Sequence, residues 1–294
     1  MLLGVLSYSI LASTSSAWKS HKARVGAFEG ARAAFESLTT RLSQATLNTY
    51  WDYDDPADPQ RYFRQSELHF VSGHATSLLP SVGNATLDAV FFVAPLGFTD
   101  NATFDPLNKM LTACGFYVRF SDDPNRPDFL SGRIPSRYRF RLFQFLQPGE
   151  QLEIYNSPTG TAWFEDNVAS WSFSMAENVL GLVIRAKYPT GSGDRMDYNY
   201  NSRNGSRTAS TPMFNQLPPV VAVTMVVMDE DSARRLESGS APPDVLPAAN
   251  LFTNPADYED DLATWENKLA GKNVAYRVFS AEIPIRGAKW SSDP

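Results

Sequence analysis

The first 48 residues carry a helical pattern of hydrophobic positions. Residues 1–17 contain no charged side chain, and the first lysine is Lys19. No proline occurs before Pro56. Hydrophobic residues recur at helical spacing, which is typical of one face of an amphipathic helix, at Trp18, Val25, Phe28, Phe35, Leu38, Leu42 and Ala45. The pattern predicts one helix over residues 1–48, on the order of 70 Å long at a rise of 1.5 Å per residue.

The uncharged segment 1–17 is typical of part of a membrane helix. It is shorter than the roughly 20 apolar residues of a spanning helix, and it lacks the basic residues that open a signal peptide. We therefore expect Met1 to lie inside a membrane helix whose first half is missing. The alternative is a frayed or buried N-terminal helix of a soluble protein. A globular domain does not cover so long a helix, so we expect its uncharged end to project.

The rest of the chain has the pattern of a β-rich domain. An acidic, turn-rich connector at residues 49–61 leads into a head domain at residues 62–294. Hydrophobic residues alternate with Arg139 and Arg141, the period of a half-buried strand over 138–146. Further strands are predicted at 62–71, 89–94, 115–120, 151–155, 179–188, 220–228 and 274–285. Short helices are predicted at 105–113, 229–237 and 257–269. The predicted class is α+β, with the long N-terminal helix packed on an antiparallel sheet.

Composition supports a folded, strand-rich protein and excludes several functions. The chain has 294 residues with 13% aromatics and 20 prolines, which favours strands and turns. Its net charge of −6 argues against a nucleic-acid partner, because such partners need a basic face. A single cysteine, Cys114, excludes an internal disulfide framework and a multi-cysteine metal site.

The sequence offers no catalytic motif. It contains no nucleophile elbow, phosphate-binding loop or zinc-protease motif. His69 and His74 are two ligands without a third, His21 lies on the predicted helix, and Cys114 is best explained as a small buried hydrophobe. We therefore expect no enzyme activity, no catalytic or cofactor-binding residue and no metal ligand.

Two acidic clusters leave calcium as an alternative, because calcium takes several oxygen ligands. Neither has the spacing of a known calcium loop, and the second is typical of a helix N-terminus. We expect both to be solvated surface. They are Asp52, Asp54, Asp55 and Asp58, and Asp257, Glu259, Asp260 and Asp261.

Four segments resemble the Verru/Chthon cassette protein C family, whose members are pseudopilin-like proteins related in layout to minor pseudopilin J. The stem and connector at residues 17–55, beginning AWKSHKARVGAFEGARAAFESL, are the most specific. MAENVLGLVIRAKYP at 175–189 resembles the family's central strand. The segments at 216–236 (QLPPVVAVTMVVMDEDSARRL) and 276–291 (YRVFSAEIPIRGAKWS) resemble its late strands.

The resemblance implies a non-enzymatic subunit of a type II secretion or type IV pilus-like filament. Its partners would be other pilin-like subunits, the inner membrane and prepilin peptidase. Its location would be the inner membrane, with a single span and a periplasmic head. Members of the family begin with a basic leader, a phenylalanine and a glutamate at the fifth mature position. No such motif stands at the start of this chain, so no residue is assigned as a cleavage site.

Two groups of residues are predicted to contact partners. On the stem helix, subunit contacts are predicted for Trp18, His21, Val25, Phe28 and Phe35, with packing inside the subunit as the alternative. In the long polar loop 190–216, recognition is predicted for Tyr198, Tyr200 and Arg203, with a disordered insertion as the alternative.

Two other functions compete with a filament subunit. One is a soluble or surface β-rich binding module, for instance for carbohydrate, which would use exposed tryptophans and tyrosines. The other is a hydrolase with paired carboxylates, for which no spacing in the chain argues.

Overall fold

In this computed structural model, the described part of the chain consists mainly of twelve antiparallel strands. The structure describes residues 28–124, 126–127, 129, 133–134, 136–157, 160–205 and 211–291. In chain order the first six are β1 (Tyr50–Tyr53), β2 (Tyr62–Gln65), β3 (Val71–His74), β4 (Ala85–Ala94), β5 (Thr112–Ser121) and β6 (Arg139–Gln147). The others are β7 (Ser172–Glu177), β8 (Val179–Thr190), β9 (Gly193–Asp197), β10 (Tyr200–Asn201), β11 (Val220–Met228) and β12 (Tyr276–Pro284).

The described helices are few and mostly short. They are α1 (residues 28–42), α2 (Ala75–Leu78), α3 (Ala162–Glu165), α4 (Glu230–Arg235) and α5 (Tyr258–Gly271). Single 3-10 turns occupy Ala102–Phe104, Gly149–Gln151, Glu153–Tyr155 and Pro255–Asp257.

The strands form three sheets within the described residues. The largest has the order β10-β3-β4-β5-β6-β7, the second has the order β12-β11-β8-β9, and β1 pairs with β2 in a separate ribbon. β8 and β11 are almost continuously apolar and buried, which is typical of central strands covered on both faces.

The six-stranded sheet is covered on both faces. Residues of one face, such as Phe92 and Phe116, share a core with the four-stranded sheet. Residues of the other face, such as Phe91, form a second core with Trp163 and Phe164 of α3. The Phe91 and Phe164 rings stack with their centroids 3.9 Å apart. Successive side chains along each strand therefore point alternately into two separate cores.

Polar contacts join the two large sheets where β4 crosses β8. The Thr86 hydroxyl donates to the carbonyl of Leu180 over 2.9 Å, and the backbone N–H of Ile184 donates to Asp88 Oδ2 over 2.8 Å. Between them, Leu87 covers Gly181, and a Cβ on that glycine would overlap Leu87 Cδ1. β4 is irregular here, because its pairing with β5 shifts register between Thr86 and Val90.

The predicted α+β class with a long N-terminal helix is wrong. The described residues are mostly β-sheet, and the helix of this region, α1, ends at residue 42 rather than 48. Its buried side chains, among them Ala31, Leu38 and Leu42, belong to the core of the four-stranded sheet. The helical pattern over residues 28–42 corresponds to α1, whereas the class depends on the sheets that follow it. Residues 1–27 lie outside the described residues.

The predicted membrane anchor is also corrected. Among the helices of the described residues, none is both long enough and apolar enough to cross a bilayer. The expectation of an inner-membrane protein with a single span and a periplasmic head is therefore not supported. It rested on residues 1–17, which lie outside the described part of the chain.

Most local strand predictions are confirmed, and several other local predictions are wrong. The strand predicted at 62–71 is two strands of different sheets, β2 and β3, and β1 lies inside the predicted connector 49–61. The predicted helix 105–113 is replaced by turns and the start of β5, and the predicted strand 151–155 by 3-10 turns. A further error concerns β6, where Arg139 and Arg141 are buried rather than exposed. Nη1 of Arg139 lies 2.9 Å from Glu237, and Nη2 of Arg141 lies 3.0 Å from Glu177. Glu177 lies on β7, which pairs with β6, and Glu237 follows α4, so the alternating pattern along β6 did not reveal the burial.

Candidate functional site

His69 is buried and neutral, and its ring is a structural cross-link. Nε2 lies 2.8 Å from Asn201 Oδ1, and Nδ1 accepts a hydrogen bond from Trp163 Nε1 at 3.1 Å. Because Nδ1 is the acceptor, the proton of the neutral ring is on Nε2, which donates to Asn201. Burial, with a contribution from the charge of Arg203, lowers the pKa of His69 to about 3.

His74 does not share a site with His69. It lies at the end of β3, where its Nδ1 is 3.3 Å from Asp88 Oδ1. Burial raises the pKa of Asp88 to about 7, although the hydrogen bond from Ile184 opposes that shift. His74 and Asp88 thus belong to the junction between the two sheets. Within the described residues, no three or more histidine, cysteine or acidic side chains are grouped so as to hold a metal ion.

The surroundings of Cys114 and of the acidic clusters indicate roles in the fold rather than in chemistry. Burial raises the pKa of the Cys114 thiol to about 12, which opposes formation of a nucleophilic thiolate. Asp54 Oδ1 accepts hydrogen bonds from three backbone N–H groups of its own loop. Glu259, Asp260 and Asp261 occupy the first turn of α5, where they complement the helix dipole.

The predicted recognition loop is largely part of the fold. Tyr198 and Tyr200 are buried, and the Tyr200 hydroxyl donates to the carbonyl of Gln216. The Arg203 guanidinium donates to the carbonyls of Ser157 and Glu67, over 2.7 and 2.8 Å. These side chains hold the loop to the domain, so their burial does not support a recognition role. Residues 206–210 of the loop lie outside the described residues.

The stem residues that are described face the same chain. The Phe35 ring lies 5.9 Å from that of Phe279 on β12, and the Arg277 guanidinium lies over Phe28 at 4.8 Å. This is the intramolecular packing that the sequence left as the alternative. Trp18, His21 and Val25 lie outside the described residues.

An aromatic surface that the sequence analysis missed lies on the β1–β2 ribbon. In its register Trp51 stands opposite Arg64, and Tyr53 stands opposite Tyr62, so the four side chains share one face. Trp51 is 57% exposed and Tyr62 60% exposed. The rings of Tyr53 and Tyr62 stack with centroids 4.9 Å apart. On the opposite face Phe63 is buried.

A cavity of about 320 Å³ adjoins this ribbon face. Four segments that are distant in sequence form its walls, and they supply Leu47, Thr49, Trp51, Arg64, Gln216, Leu217, Gly287, Lys289, Trp290 and Ser291. Gln216 fixes one wall, because its side chain accepts from the N–H of Ser291 and donates to the carbonyl of Ser291, both over 2.8 Å. Trp290 packs against Tyr188, with ring centroids 5.2 Å apart.

The charge of the cavity is opposite to that of the chain. Among its described lining residues, Arg64 and Lys289 are cationic and none is acidic, whereas the whole chain has a net charge of −6. Arg64 is almost completely buried, and its guanidinium lies over the Trp51 ring, 5.4 Å from the ring centroid. Burial lowers the pKa of Arg64, so the charged form carries a desolvation cost.

No protein-family model matches the chain. No curated protein and no solved structure matches it either. Function must therefore be inferred from the fold and from the candidate site.

The sequence did contain a signal for the ribbon. Residues 50–53 and 62–65 are rich in aromatics and flank an acidic segment with two prolines, which is a pattern of paired strands. The acidic residues between them led instead to the prediction of a connector over residues 49–61. No local sequence pattern shows that residues 216–217 and 287–291 lie beside the ribbon, because their position depends on the packing of the domain.

Proposed function

We propose that this chain is a non-enzymatic, pilin-like structural subunit that assembles with other pilin-like subunits. The observation that carries the proposal is the spatial grouping of the segments that resemble the cassette protein family. β8, β11 and β12 are consecutive in one sheet, and α1 packs on β12 through Phe35 and Phe279. Elements from both ends of the chain thus form one structural unit.

The two-sided character of α1 supports a role in assembly. One side is buried in the core, while Glu29, Arg32 and Glu36 are exposed on the other. Arg32 and Glu36 form an exposed ion pair of 2.9 Å, which contributes little to folding. This polar side of α1 is available for contacts with a neighbouring subunit.

The surroundings of the buried reactive groups also support a structural role. His69 is held between Asn201 and Trp163, and the Cys114 thiol accepts a contact from Gln144 Nε2 at 3.6 Å. Asp88 accepts the N–H of Ile184 at the sheet junction. Each of these groups has a partner that serves the fold.

Photo-crosslinking in cells of the source organism tests the proposal. A photoreactive amino acid replaces Arg32 on the exposed side of α1, and the matched control carries it at Asn267 on the exposed side of α5. We expect position 32, but not position 267, to form adducts with small proteins that mass spectrometry identifies as pilin-like. Equal adducts at both positions, or adducts only with unrelated proteins, would contradict the proposal.

A further inference from the structure

We propose that Asn204 is a site of spontaneous modification, where the backbone nitrogen of Gly205 closes a succinimide ring that water opens to aspartate and isoaspartate. The site lies in the loop between β10 and β11, and it does not depend on the assembly role. Asn204–Gly205 is the one asparagine–glycine pair in the chain. Glycine leaves the attacking nitrogen unshielded, because it has no side chain.

The reaction needs only water as a second reactant, and no group is oxidised or reduced. The N–H of Gly205 loses its proton, and the nitrogen attacks Cγ of Asn204. A C–N bond forms there, the bond from Cγ to Nδ2 breaks, and the amide leaves as ammonia with the proton. Water then adds to one of the two ring carbonyls. Cleavage of the ring bond at Cγ gives aspartate, and cleavage at the backbone carbonyl carbon gives isoaspartate.

The structure leaves both reacting groups uncommitted. Asn204 and Gly205 are exposed and lie outside helices and strands. The backbone of Asn204 is held, since its N–H donates to the carbonyl of Asn201 over 3.0 Å and its carbonyl accepts from the Thr211 hydroxyl over 2.6 Å. Among the described residues, however, neither the side-chain amide of Asn204 nor the N–H of Gly205 has a hydrogen-bond partner. An exposed backbone N–H without a partner exchanges its proton readily.

Asn201, three residues earlier, shows how the fold blocks the same reaction. It is also followed by a small residue, Ser202, which is buried. The N–H of Ser202 donates to the carbonyl of Phe70 over 2.9 Å, so the attacking nitrogen is occupied. The side chain is fixed as well, because Asn201 Oδ1 accepts from His69 and from the N–H of Arg203, both over 2.8 Å.

Asn156 shows that exposure alone does not free such a site. It is exposed and is followed by Ser157. The N–H of Ser157 donates to the carbonyl of Glu153 over 3.1 Å, and Asn156 Nδ2 donates to Glu153 Oε2 over 2.8 Å. Asn204 differs from both asparagines in its free side chain and in the free N–H that follows it.

The fold also requires the glycine of the reactive pair. Gly205 has a φ of 147°, which other residues rarely adopt, and a Cβ at this position would overlap Phe214. The modification changes the loop in two ways. Both products carry a carboxylate beside Arg203 in sequence. In isoaspartate the carbonyl that accepts from Thr211 becomes this carboxylate, and the main chain continues through the former side chain.

The test is peptide mapping by mass spectrometry of the purified, folded chain, incubated at pH 8 in water enriched in oxygen-18. We expect Asn204 to lose ammonia and incorporate one heavy oxygen at least about tenfold faster than Asn156 and Asn201, a barrier lower by about 1.4 kcal/mol. Aspartate and isoaspartate should both appear, because water opens the ring at either carbonyl. The rate should rise with pH, because the attacking nitrogen must lose its proton.

Unfolding in urea separates the effect of the fold from that of the sequence. Asn156 and Asn201 lose their hydrogen bonds there, so both should react several-fold faster, whereas the rate at Asn204 should change little. Asn204→Gln, which would need a larger ring, should abolish the reaction at this position, and circular dichroism checks that the variant is folded.

Three results would overturn the inference. The first is that Asn204 in the folded chain reacts no faster than Asn201. The second is that unfolding accelerates Asn204 as strongly as the two other asparagines, because the fold would then protect it. The third is a product that contains aspartate without isoaspartate, since direct hydrolysis of the amide forms no ring.

Discussion

Two buried titratable residues, His69 and Asp88, have opposite effects on the pH dependence of stability. The pKa of His69 is lowered to about 3, so its stabilising contribution is present above its unfolded pKa of about 6.5 and is lost as the pH falls. The pKa of Asp88 is raised to about 7, so its contribution is present at low pH and is lost as the pH rises from about 4 to 7. In the intact protein the two effects partly cancel, and single substitutions separate them.

For His69→Gln we expect a smaller loss of stability in acid. Between pH 7 and 5 the unfolded chain takes up a proton at His69 that the folded protein does not, which costs about 2 kcal/mol. The variant lacks this term, so its free energy of unfolding relative to the parent should rise by that amount over the same interval. Urea denaturation at the two pH values measures the difference. A parallel pH dependence in the two proteins would show that His69 is not neutral and buried.

For Asp88→Asn we expect the reverse pH dependence. The amide keeps an acceptor for the N–H of Ile184 and carries no charge, so the variant avoids the cost of an ionised carboxylate at the sheet junction. From pH 5 to pH 8 it should gain on the order of 2–3 kcal/mol of stability relative to the parent. The control is Asp244→Asn, at an exposed carboxylate whose pKa is lowered to about 2 by Lys268 and Lys272, and it should show no such change. Denaturation curves at both pH values supply the comparison.

At the scale of elements, α1 is stabilised by the sheet it covers. Gly30 weakens an isolated helix, and the exposed pair of Arg32 and Glu36 adds little. The completely buried Leu38 and Leu42 instead join the core formed by β8, β11 and β12. Most of the stability of such a helix comes from its apolar face.

Truncation of one buried residue of α1 tests this dependence. Leu38→Ala should lower the free energy of unfolding by about 2–5 kcal/mol, because it removes a fully buried side chain and leaves a cavity. Thr40→Ala, on the exposed side of the same helix, should change it by less than about 0.5 kcal/mol. Equal effects of the two substitutions would mean that α1 does not pack as described. Chemical denaturation monitored by circular dichroism distinguishes these outcomes.

At the scale of the whole molecule, the junction of β4 and β8 makes one body of the two large sheets. Leu87 has a positive φ of 52° and lies where the pairing of β4 with β5 is irregular. This irregularity places Thr86 and Asp88 against the backbone of β8. The same packing joins the core beneath α1 to the six-stranded sheet.

A pair of substitutions probes the close approach at this junction. Gly181→Ala should destabilise the protein by about 1–3 kcal/mol, because the new methyl group would meet Leu87 Cδ1. Adding Leu87→Ala should recover part of that loss, since the two sites share one contact. Gly30→Ala on α1, where a Cβ has open space, is the matched control and should not destabilise. Thermal unfolding of the parent, Gly181→Ala, Leu87→Ala and the double variant gives the coupling energy. Simple additivity would argue against the contact.

The sequence by itself determined the strands and helices whose patterns are local. β11 matches its predicted bounds, and β5, β8, β12, α4 and α5 lie close to theirs. Their hydrophobic periods and capping residues lie within a few positions of one another, so each pattern is complete in the sequence. The helical pattern of residues 28–42 was found in the same way, but not the point where that helix ends.

Only the tertiary structure decided the class, the environments and the candidate site. Arg139 is buried because Glu230 and Glu237 approach it from α4 and the turn that follows, and His69 is neutral because Trp163 and Asn201 enclose its ring. The cavity exists because the ribbon meets residues 287–291, at the opposite end of the chain. Burial, charge and shape at these places arise from contacts between residues far apart in sequence, and a pattern read along the chain does not contain them.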